Sequence, residues 1–282
     1  IIVSGESSGI SGVVADAKRL IPGGKFSREN LWTKSSQGNS AASMLNTWLL
    51  NTDQVTPVDD SKIIVLSDPH VMSPELLVSE GTAWTNYLSK ERKLMDYSKA
   101  LFDEMIIRLK RDIRPGLVLI TGDLTKDGET VSHEYVVSKL DELRAVGIKT
   151  LVIPGNHDRG ANNNAVYYDG GSTTPAEVAS NASFASMYAN YGYGASSERL
   201  DGTLTYACEP ITGLVVIGID SGTDGVVSST TLDWVTEKAN AARTSGKKVI
   251  AMMHHPLIPH FSGVDNFAET AVVAGYEDVR NA

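Results

Sequence analysis

Short runs of apolar, mainly β-branched residues recur along the chain, and each run stops abruptly at polar residues. Their length and composition predict buried strands rather than helices. Two further apolar runs, residues 204–208 and 214–219, predict strands of a second sheet. The runs that end in the most reactive side chains are residues 62–67, 117–121, 150–153 and 248–253.

The segments between the first three of these strands carry apolar residues at spacings of three and four, which predicts amphipathic helices. In the second segment the helix spans residues 129–146 and ends at Gly147. Two consecutive strand–helix–strand units imply parallel strands with right-handed crossovers, so the carboxyl ends of the strands share one sheet edge. The predicted apolar face of the first helix consists of Leu94, Tyr97, Leu101 and Met105, and that of the second of Val136, Leu140 and Leu143.

Packing in an apolar core does not explain the polar residues that follow four of the strands. Carboxylate, amide and imidazole groups are costly to bury without partners. Their clustering after strands therefore predicts a metal or catalytic centre at the carboxyl edge of the sheet. The four strand ends read Asp68-Pro69-His70, Gly122-Asp123, Gly155-Asn156-His157-Asp158 and His254-His255-Pro256.

In this order, the four motifs resemble those of the calcineurin-like metallophosphoesterases, whose fifth motif is Gly-His-x-His. The resemblance covers roughly residues 62–282 and implies an α/β fold, a two-sheet sandwich flanked by helices in four layers, α/β/β/α. The fifth motif does not occur in the sequence, and the last histidine is His260. Because the other motifs are intact, we expect the natural chain to continue past Ala282, so that the domain is C-terminally incomplete. A degenerate member of the family with a weakened site is the alternative.

The resemblance implies a centre of two divalent transition-metal ions, for which Mn, Fe, Zn and Co all suit the mixed ligands. Asp68 and His70 match the ligands of the first ion, and Asp123 matches the carboxylate that bridges both ions. Asn156 and His254 match ligands of the second ion. The expected reaction is attack on phosphorus by a hydroxide that bridges the two ions.

The resemblance does not make His157 a ligand. Its position matches a residue that contacts the substrate phosphate and protonates the leaving oxygen, and we expect Asp158 to orient its ring. These two residues are the predicted catalytic pair.

Several other polar residues near the motifs are weaker candidates. His255 and His260 are candidates for contact with the substrate, and the alternatives are a structural role for His255 and a loop position for His260. His133 is expected to be a solvated or hydrogen-bonded histidine on the more exposed side of a helix. Asp127 and Glu129 are expected to cap or charge the start of the following helix rather than to bind metal.

The domain organisation follows from composition. Residues 1–61 are rich in Ser, Gly, Thr and Asn and lack the motifs. We expect an N-terminal extension, with short helices near 12–20 and 41–50, packed on a catalytic domain of residues 62–282; a disordered linker is the alternative. Residues 159–200 form a polar, tyrosine-rich insertion after the central motif. Such an insertion is expected either to form a substrate wall or lid near the active site or to be an ordered surface loop followed by a helix.

Charge and composition restrict the partners. A net charge of −9 and a pI near 5.2 argue against a broad nucleic-acid surface. The single cysteine, Cys208, excludes a disulfide within one chain, and no apolar run approaches the roughly 20 residues of a membrane span. The expected partner is a small-molecule phosphoester, and the sequence leaves the oligomeric state open.

The resemblance therefore implies a dinuclear metal-dependent phosphohydrolase that acts on a small phosphodiester or phosphomonoester. The sequence looks most like bacterial enzymes near the cyclic-nucleotide phosphodiesterase branch of the family. A non-catalytic binding protein on the same scaffold is the rival hypothesis, favoured by the absent histidines and opposed by the intact motifs. The composition of the first 60 residues favours a periplasmic or exported protein, with a cytoplasmic location as the alternative.

Overall fold

A computed structural model of the protein describes residues 57–160, 164–257 and Val273. The chain divides into two units, Ile1–Pro57 and Val58–Ala282, and all elements described below belong to the second unit. The two helices expected in the N-terminal extension, and its expected packing on the catalytic domain, lie outside the described residues. Among the described residues, no helix has both the length and the apolar character that crossing a membrane requires.

Strands and helices alternate in the first half of the unit, whereas strands are grouped in the second half. The strands are β1 (Asp59–Leu66), β2 (Leu77–Ser79), β3 (Pro115–Ile120), β4 (Lys149–Val152), β5 (Val166–Asp169), β6 (Ser172–Pro175), β7 (Glu198–Arg199), β8 (Tyr206–Ile211), β9 (Leu214–Ile219) and β10 (Lys248–Met253). The α-helices are α1 (Thr82–Leu88), α2 (Ser98–Arg108), α3 (Thr130–Ala145), α4 (Asn181–Met187) and α5 (Ser229–Thr244).

Two sheets carry the predicted motifs. The first has the order β1-β3-β4 with all strands parallel, which confirms the predicted crossovers. Its register pairs Leu66 with Ile120 and Ile120 with Val152, so the three strands end level with one another. The second sheet has the order β10-β9-β8-β7, in which β10 runs parallel to β9. A small third sheet has the order β2-β5-β6.

The first two sheets pack face to face, with helices on their outer sides. Helices α2 and α3 contribute to the same apolar cluster as β3 and β4, while α5 packs against β9 and β10. Tyr206 of the second sheet donates its hydroxyl to the carbonyl of Val152 in the first, at 3.0 Å. A Cβ at Gly218 would lie 2.6 Å from the Tyr206 ring and 2.8 Å from Ile153, so the sheets approach closely there. The predicted α/β/β/α order is thereby confirmed.

The predicted apolar face of the first helix is wrong. The buried face of α2 and the turn that follows it consists of Phe102, Ile106 and Leu109, whereas Tyr97 and Leu101 are 61% and 57% exposed. Two apolar stripes with helical spacing lie one residue apart here, which rotates the buried face by about 100°. The spacing of apolar residues alone does not show which stripe is buried. Packing of the helix against the sheet determines the buried stripe.

The second predicted helix agrees with the structure. Helix α3 buries Val136, Leu140 and Leu143 completely. Gly147 follows the helix with a φ of 84°, a left-handed conformation that favours glycine, and its N–H donates to the carbonyl of Arg144 at 3.0 Å.

His133 on α3 is buried completely, so the exposed position expected for it is wrong, whereas the hydrogen-bonded alternative is confirmed. Its Nε2–H donates to the carbonyl of Asp158 at 2.9 Å, and its Nδ1 accepts from the hydroxyl of Tyr188 at 2.9 Å. Burial lowers the pKa of His133, which favours the neutral ring that this pair of bonds requires. His133 therefore fastens the motif that contains Asp158 to the core.

The tyrosine-rich insertion is ordered over its described part, residues 164–200. Its hairpin, β5 and β6, extends the small third sheet, and α4 follows. Tyr188, Tyr191 and Tyr193 are buried in the main core cluster, where their rings pack with one another and with Phe184. These tyrosines therefore stabilise the fold.

Candidate metal centre

The loops after β1 and β3 lie side by side at the carboxyl edge of the first sheet. The N–H of Asp68 donates to the carbonyl of Gly122 at 3.1 Å, and that of His70 to the carbonyl of Asp123 at 2.9 Å. Asp68, His70 and Asp123 have φ angles of 55°, 42° and 51°, in the left-handed region that non-glycine residues rarely adopt. Strained backbone of this kind costs on the order of 1–3 kcal/mol per residue and concentrates at functional sites.

Two motif glycines make room for the polar side chains. A Cβ at Gly122, whose φ is 97°, would lie 2.7 Å from Nδ1 of His254. A Cβ at Gly155 would collide with the carboxylate of Asp123. Glycine in the Gly-Asp and Gly-Asn motifs therefore allows the strand ends to approach until their side chains meet.

The five predicted ligands converge around Asp123. Oδ2 of Asp123 lies 3.4 Å from Nε2 of His70, and its Oδ1 lies 3.6 Å from Nε2 of His254. Oδ1 of Asp68 is 3.7 Å from Nε2 of His70, and Oδ1 of Asn156 is 3.0 Å from Nε2 of His254. The Asp123 carboxylate thus has one oxygen directed to each of two groups of donors.

Two trios have donor atoms that all lie within 4.8 Å of one another: His70, Asp123 and His157, and Asp68, Asp123 and His254. Several donors in so small a volume fit divalent metal ions, whose nitrogen and oxygen ligands lie about 2.0–2.2 Å from the ion. Asp123 belongs to both trios, so the centre can hold two neighbouring ions.

The orientation of the His254 ring is fixed by a hydrogen bond to the backbone. Its Nδ1–H donates to the carbonyl of Thr121 at 2.9 Å, which leaves Nε2 as the acceptor that faces Asn156 and Asp123. A backbone acceptor behind a histidine is the usual support of a metal ligand, because it fixes both the tautomer and the ring.

The two aspartates differ electrostatically. Burial opposes the ionisation of Asp68, yet hydrogen bonds from His70 and Ser67 outweigh it and lower the pKa of Asp68 to about 2. Burial and the nearby Asp158 carboxylate raise the pKa of Asp123. The negative charge of Asp123 therefore destabilises the metal-free fold, and a cation between Asp123 and its neighbours would offset this destabilisation.

His157 is held by the segment that follows Asp123. Its Nδ1 lies 2.8 Å from Oδ1 of Asp127 and 2.9 Å from the carbonyl of Lys126, so Nδ1 carries the proton and Nε2 faces the centre. Burial lowers the pKa of His157, but the hydrogen bond to Asp127 and the charge of Asp123 outweigh burial and raise it. A raised pKa favours a ring that can donate a proton.

The expectation that Asp158 orients His157 is wrong. The Asp158 carboxylate is fully buried and accepts the backbone N–H groups of Leu124 at 3.0 Å, Thr125 at 2.9 Å and Gly155 at 2.8 Å. It therefore ties the loop after β3 to the loop after β4. Asp127 orients the ring instead, because the loop after β3 places its carboxylate against Nδ1 of His157.

A buried cluster around Lys126 supports Asp127, and the sequence analysis missed it. Nζ of Lys126, which is 1% exposed, lies 2.7 Å from Oδ2 of Asp127 and 3.2 Å from Oε1 of Glu129. The same ammonium donates to the carbonyl of Asn164 at 2.8 Å. Asp127 and Glu129 are thus partners of a buried lysine rather than charges at a helix start. The signal in the sequence was a lysine followed closely by two acids in the segment after the Gly-Asp motif.

His255 is also buried, on the side of the second sheet. Its Nδ1 lies 2.7 Å from Oγ of Ser221, and burial together with the neighbouring His254 lowers its pKa to about 4. The neutral ring packs 5.1 Å from the ring of His254, which suits a structural support. Its contact with substrate stays a prediction, and His260 lies outside the described residues.

The sequence of this chain is similar to that of a known protein family. A sequence profile of the calcineurin-like phosphoesterase family matches residues 61–280. The chain belongs to this family. As a calcineurin-like phosphoesterase it is a phosphoric ester hydrolase, and its clustered ligands are those of a metal-dependent one.

The calcineurin-like phosphoesterase also resembles solved structures. One is the crystal structure of a dimetal phosphatase from Danio rerio, which is 13% identical over 78% of this chain and 76% of that chain, with a TM-score of 0.49. No curated protein sequence matches the chain significantly.

Proposed function

We propose that this phosphoesterase hydrolyses a small phosphodiester or phosphomonoester at a centre of two divalent metal ions. The observation that carries the proposal is the position of the Asp123 carboxylate between two donor groups. Asp68 and His70 complete the first group, and Asn156 and His254 complete the second.

The donor set fits this role. Among the described residues, each proposed ion has three protein donors, and a catalytic metal site also needs positions for water and substrate. Asn156 contributes a neutral oxygen, so it adds no negative charge to a site that must accept phosphate. Carboxylate, amide and imidazole donors suit Mn, Fe, Zn or Co. When bound, the ions would activate water and neutralise phosphoryl oxygens.

His157 is the proposed acid that protonates the leaving oxygen. Nε2 of His157 faces the centre, while Nδ1 is held by Asp127. Although His157 belongs to one donor trio, Nζ of Lys93 lies 3.2 Å from its Nε2. A positive charge at this position opposes metal binding through that nitrogen, so we propose that His157 acts on substrate rather than on metal.

Replacing Asp127 with asparagine tests the support of His157. We expect kcat to fall about 10–100-fold with metal content unchanged, as when the hydrogen-bonded support of an active-site histidine is lost. Because Asp127 raises the pKa of His157, the variant loses the protonated ring at lower pH. The alkaline limb of the kcat–pH profile should therefore move to lower pH. If the alkaline limb of the kcat–pH profile and kcat itself both stayed as in the wild-type protein, Asp127 would not support His157 as the acid.

Hydrolysis of model esters tests the proposed function itself. The purified chain is expected to cleave bis-p-nitrophenyl phosphate or p-nitrophenyl phosphate when Mn²⁺ is supplied, to lose activity in EDTA, and to regain it with Mn²⁺ or Zn²⁺. Metal removal should abolish the reaction because the ions supply the nucleophile and the charge neutralisation. Failure to cleave either ester with Mn²⁺, Zn²⁺ and Fe²⁺ would favour a binding protein on this scaffold.

A further inference from the structure

A lysine outside the four motifs reaches into the centre. Lys93 lies between α1 and α2 and is half-buried. Its Nζ lies 3.2 Å from Nε2 of His157 and 3.3 Å from Nδ1 of His70. The two imidazole rings meet edge to face, 4.9 Å apart, and the ammonium is in contact with both. Lys93 therefore adds a positive charge beside the proposed acid.

The backbone of this segment is held in place. Oε1 of Glu91 accepts the N–H groups of Arg92 at 2.8 Å and Lys93 at 3.1 Å. Oε2 of Glu91 accepts the hydroxyl of Tyr87 at 3.1 Å. The ring of Tyr87 packs under Nζ of Lys126, 5.1 Å from its centroid, and Lys126 supports Asp127. The loop of Lys93 and the support of His157 are thus parts of one connected structure.

Lys93 places a hydrogen-bond donor beside the proposed acid and one proposed metal ligand. An ammonium group only donates hydrogen bonds. A phosphoryl group within reach of His157, the proposed acid, is also within reach of this ammonium, because the two nitrogens lie 3.2 Å apart. Phosphoryl oxygens are anionic acceptors, so the ammonium would form a charge-assisted hydrogen bond with one of them.

We propose that Lys93 binds a non-bridging oxygen of the substrate phosphoryl group, so that the site takes phosphomonoester dianions in preference to phosphodiesters. This inference rests on the proposed function. A monoester dianion carries twice the charge of a diester monoanion, and its attraction to the ammonium is correspondingly stronger. A diester also places a second organic group where the monoester has a charged oxygen.

The test compares Lys93→Met, Lys93→Arg and a control, Lys90→Met, each loaded with Mn²⁺. Lys90 is an exposed lysine in the same loop, so its variant removes the same charge from the same segment. Binding of inorganic phosphate is measured by titration calorimetry, and kcat/KM is measured for p-nitrophenyl phosphate and bis-p-nitrophenyl phosphate. Metal content and Tm establish that each variant is folded and loaded.

Loss of one charge-assisted hydrogen bond predicts about 10–100-fold weaker phosphate binding in Lys93→Met and a similar loss of kcat/KM for the monoester. The diester should lose less than about threefold. Lys93→Arg should retain most phosphate binding, and Lys90→Met should behave as the wild-type protein.

Wild-type phosphate affinity in Lys93→Met, or equal losses for both esters, would overturn the assignment of Lys93. A wild-type protein that cleaves neither ester would defeat the proposed function. Phosphate binding would still decide whether Lys93 contacts the anion, because that measurement needs no turnover.

Discussion

Replacing Asp123 with asparagine is expected to remove the bound metal and the phosphoesterase activity together. Asp123 is the carboxylate that faces both donor groups, with His70 on one side and His254 on the other. Asparagine keeps the shape but has one oxygen and no charge, so it cannot serve two cations. We expect kcat/KM to fall by at least about 10³-fold, since a metal ion supplies several kcal/mol of charge stabilisation.

The Asp123→Asn protein should nevertheless be folded. Burial and Asp158 raise the pKa of Asp123, which means that its charge destabilises the metal-free fold. In EDTA the variant is therefore expected to have a Tm equal to or above that of the wild-type protein. Asp201→Asn, a change at an exposed carboxylate, is the matched control. Normal metal content or activity in Asp123→Asn would show that Asp123 is not the shared ligand.

Replacing His157 with alanine is expected to keep the metal and to lose most turnover. General-acid catalysis contributes about 10²–10⁴-fold, and the loss should be largest for substrates with poor leaving groups. Phenyl phosphate should therefore be affected more than p-nitrophenyl phosphate. Metal content, kcat and the dependence of kcat on leaving-group pKa measure the effect.

Two results would contradict this role of His157. Unchanged turnover of phenyl phosphate would show that the ring does not protonate the leaving oxygen. Loss of metal would instead make His157 a ligand, as the trio of His70, Asp123 and His157 allows. Metal content therefore separates the two functions that the geometry leaves available to this ring.

The convergence of the strand-end motifs could be predicted from the sequence, because local information was sufficient there. Apolar runs end in polar motifs, and β1, β3 and β4 end level because their register pairs Leu66 with Ile120 and Ile120 with Val152. Once the strands are parallel, side chains just after these ends must come together. Both motif glycines also act locally, by making room for the strand ends.

The contacts that the sequence did not predict join residues far apart in the chain. Asp127 and Asp158 are both acids beside a motif, and only the path of the loop after β3 decides that Asp127 reaches His157. Lys93 lies 64 positions before His157, in a segment without a recognisable motif. On α2, two apolar stripes differed by one residue, and tertiary packing selected the buried one.

The electron paramagnetic resonance spectrum of the protein loaded with two equivalents of Mn²⁺ tests the central claim most directly. Two ions that share the Asp123 carboxylate lie close together, at the roughly 3.5–4 Å typical of two-metal phosphoesterase sites, and their spins must couple. We predict an exchange-coupled spectrum that becomes uncoupled in Asp123→Asn. A spectrum of isolated Mn²⁺ ions in the wild-type protein, or binding of a single ion, would contradict the shared two-metal centre.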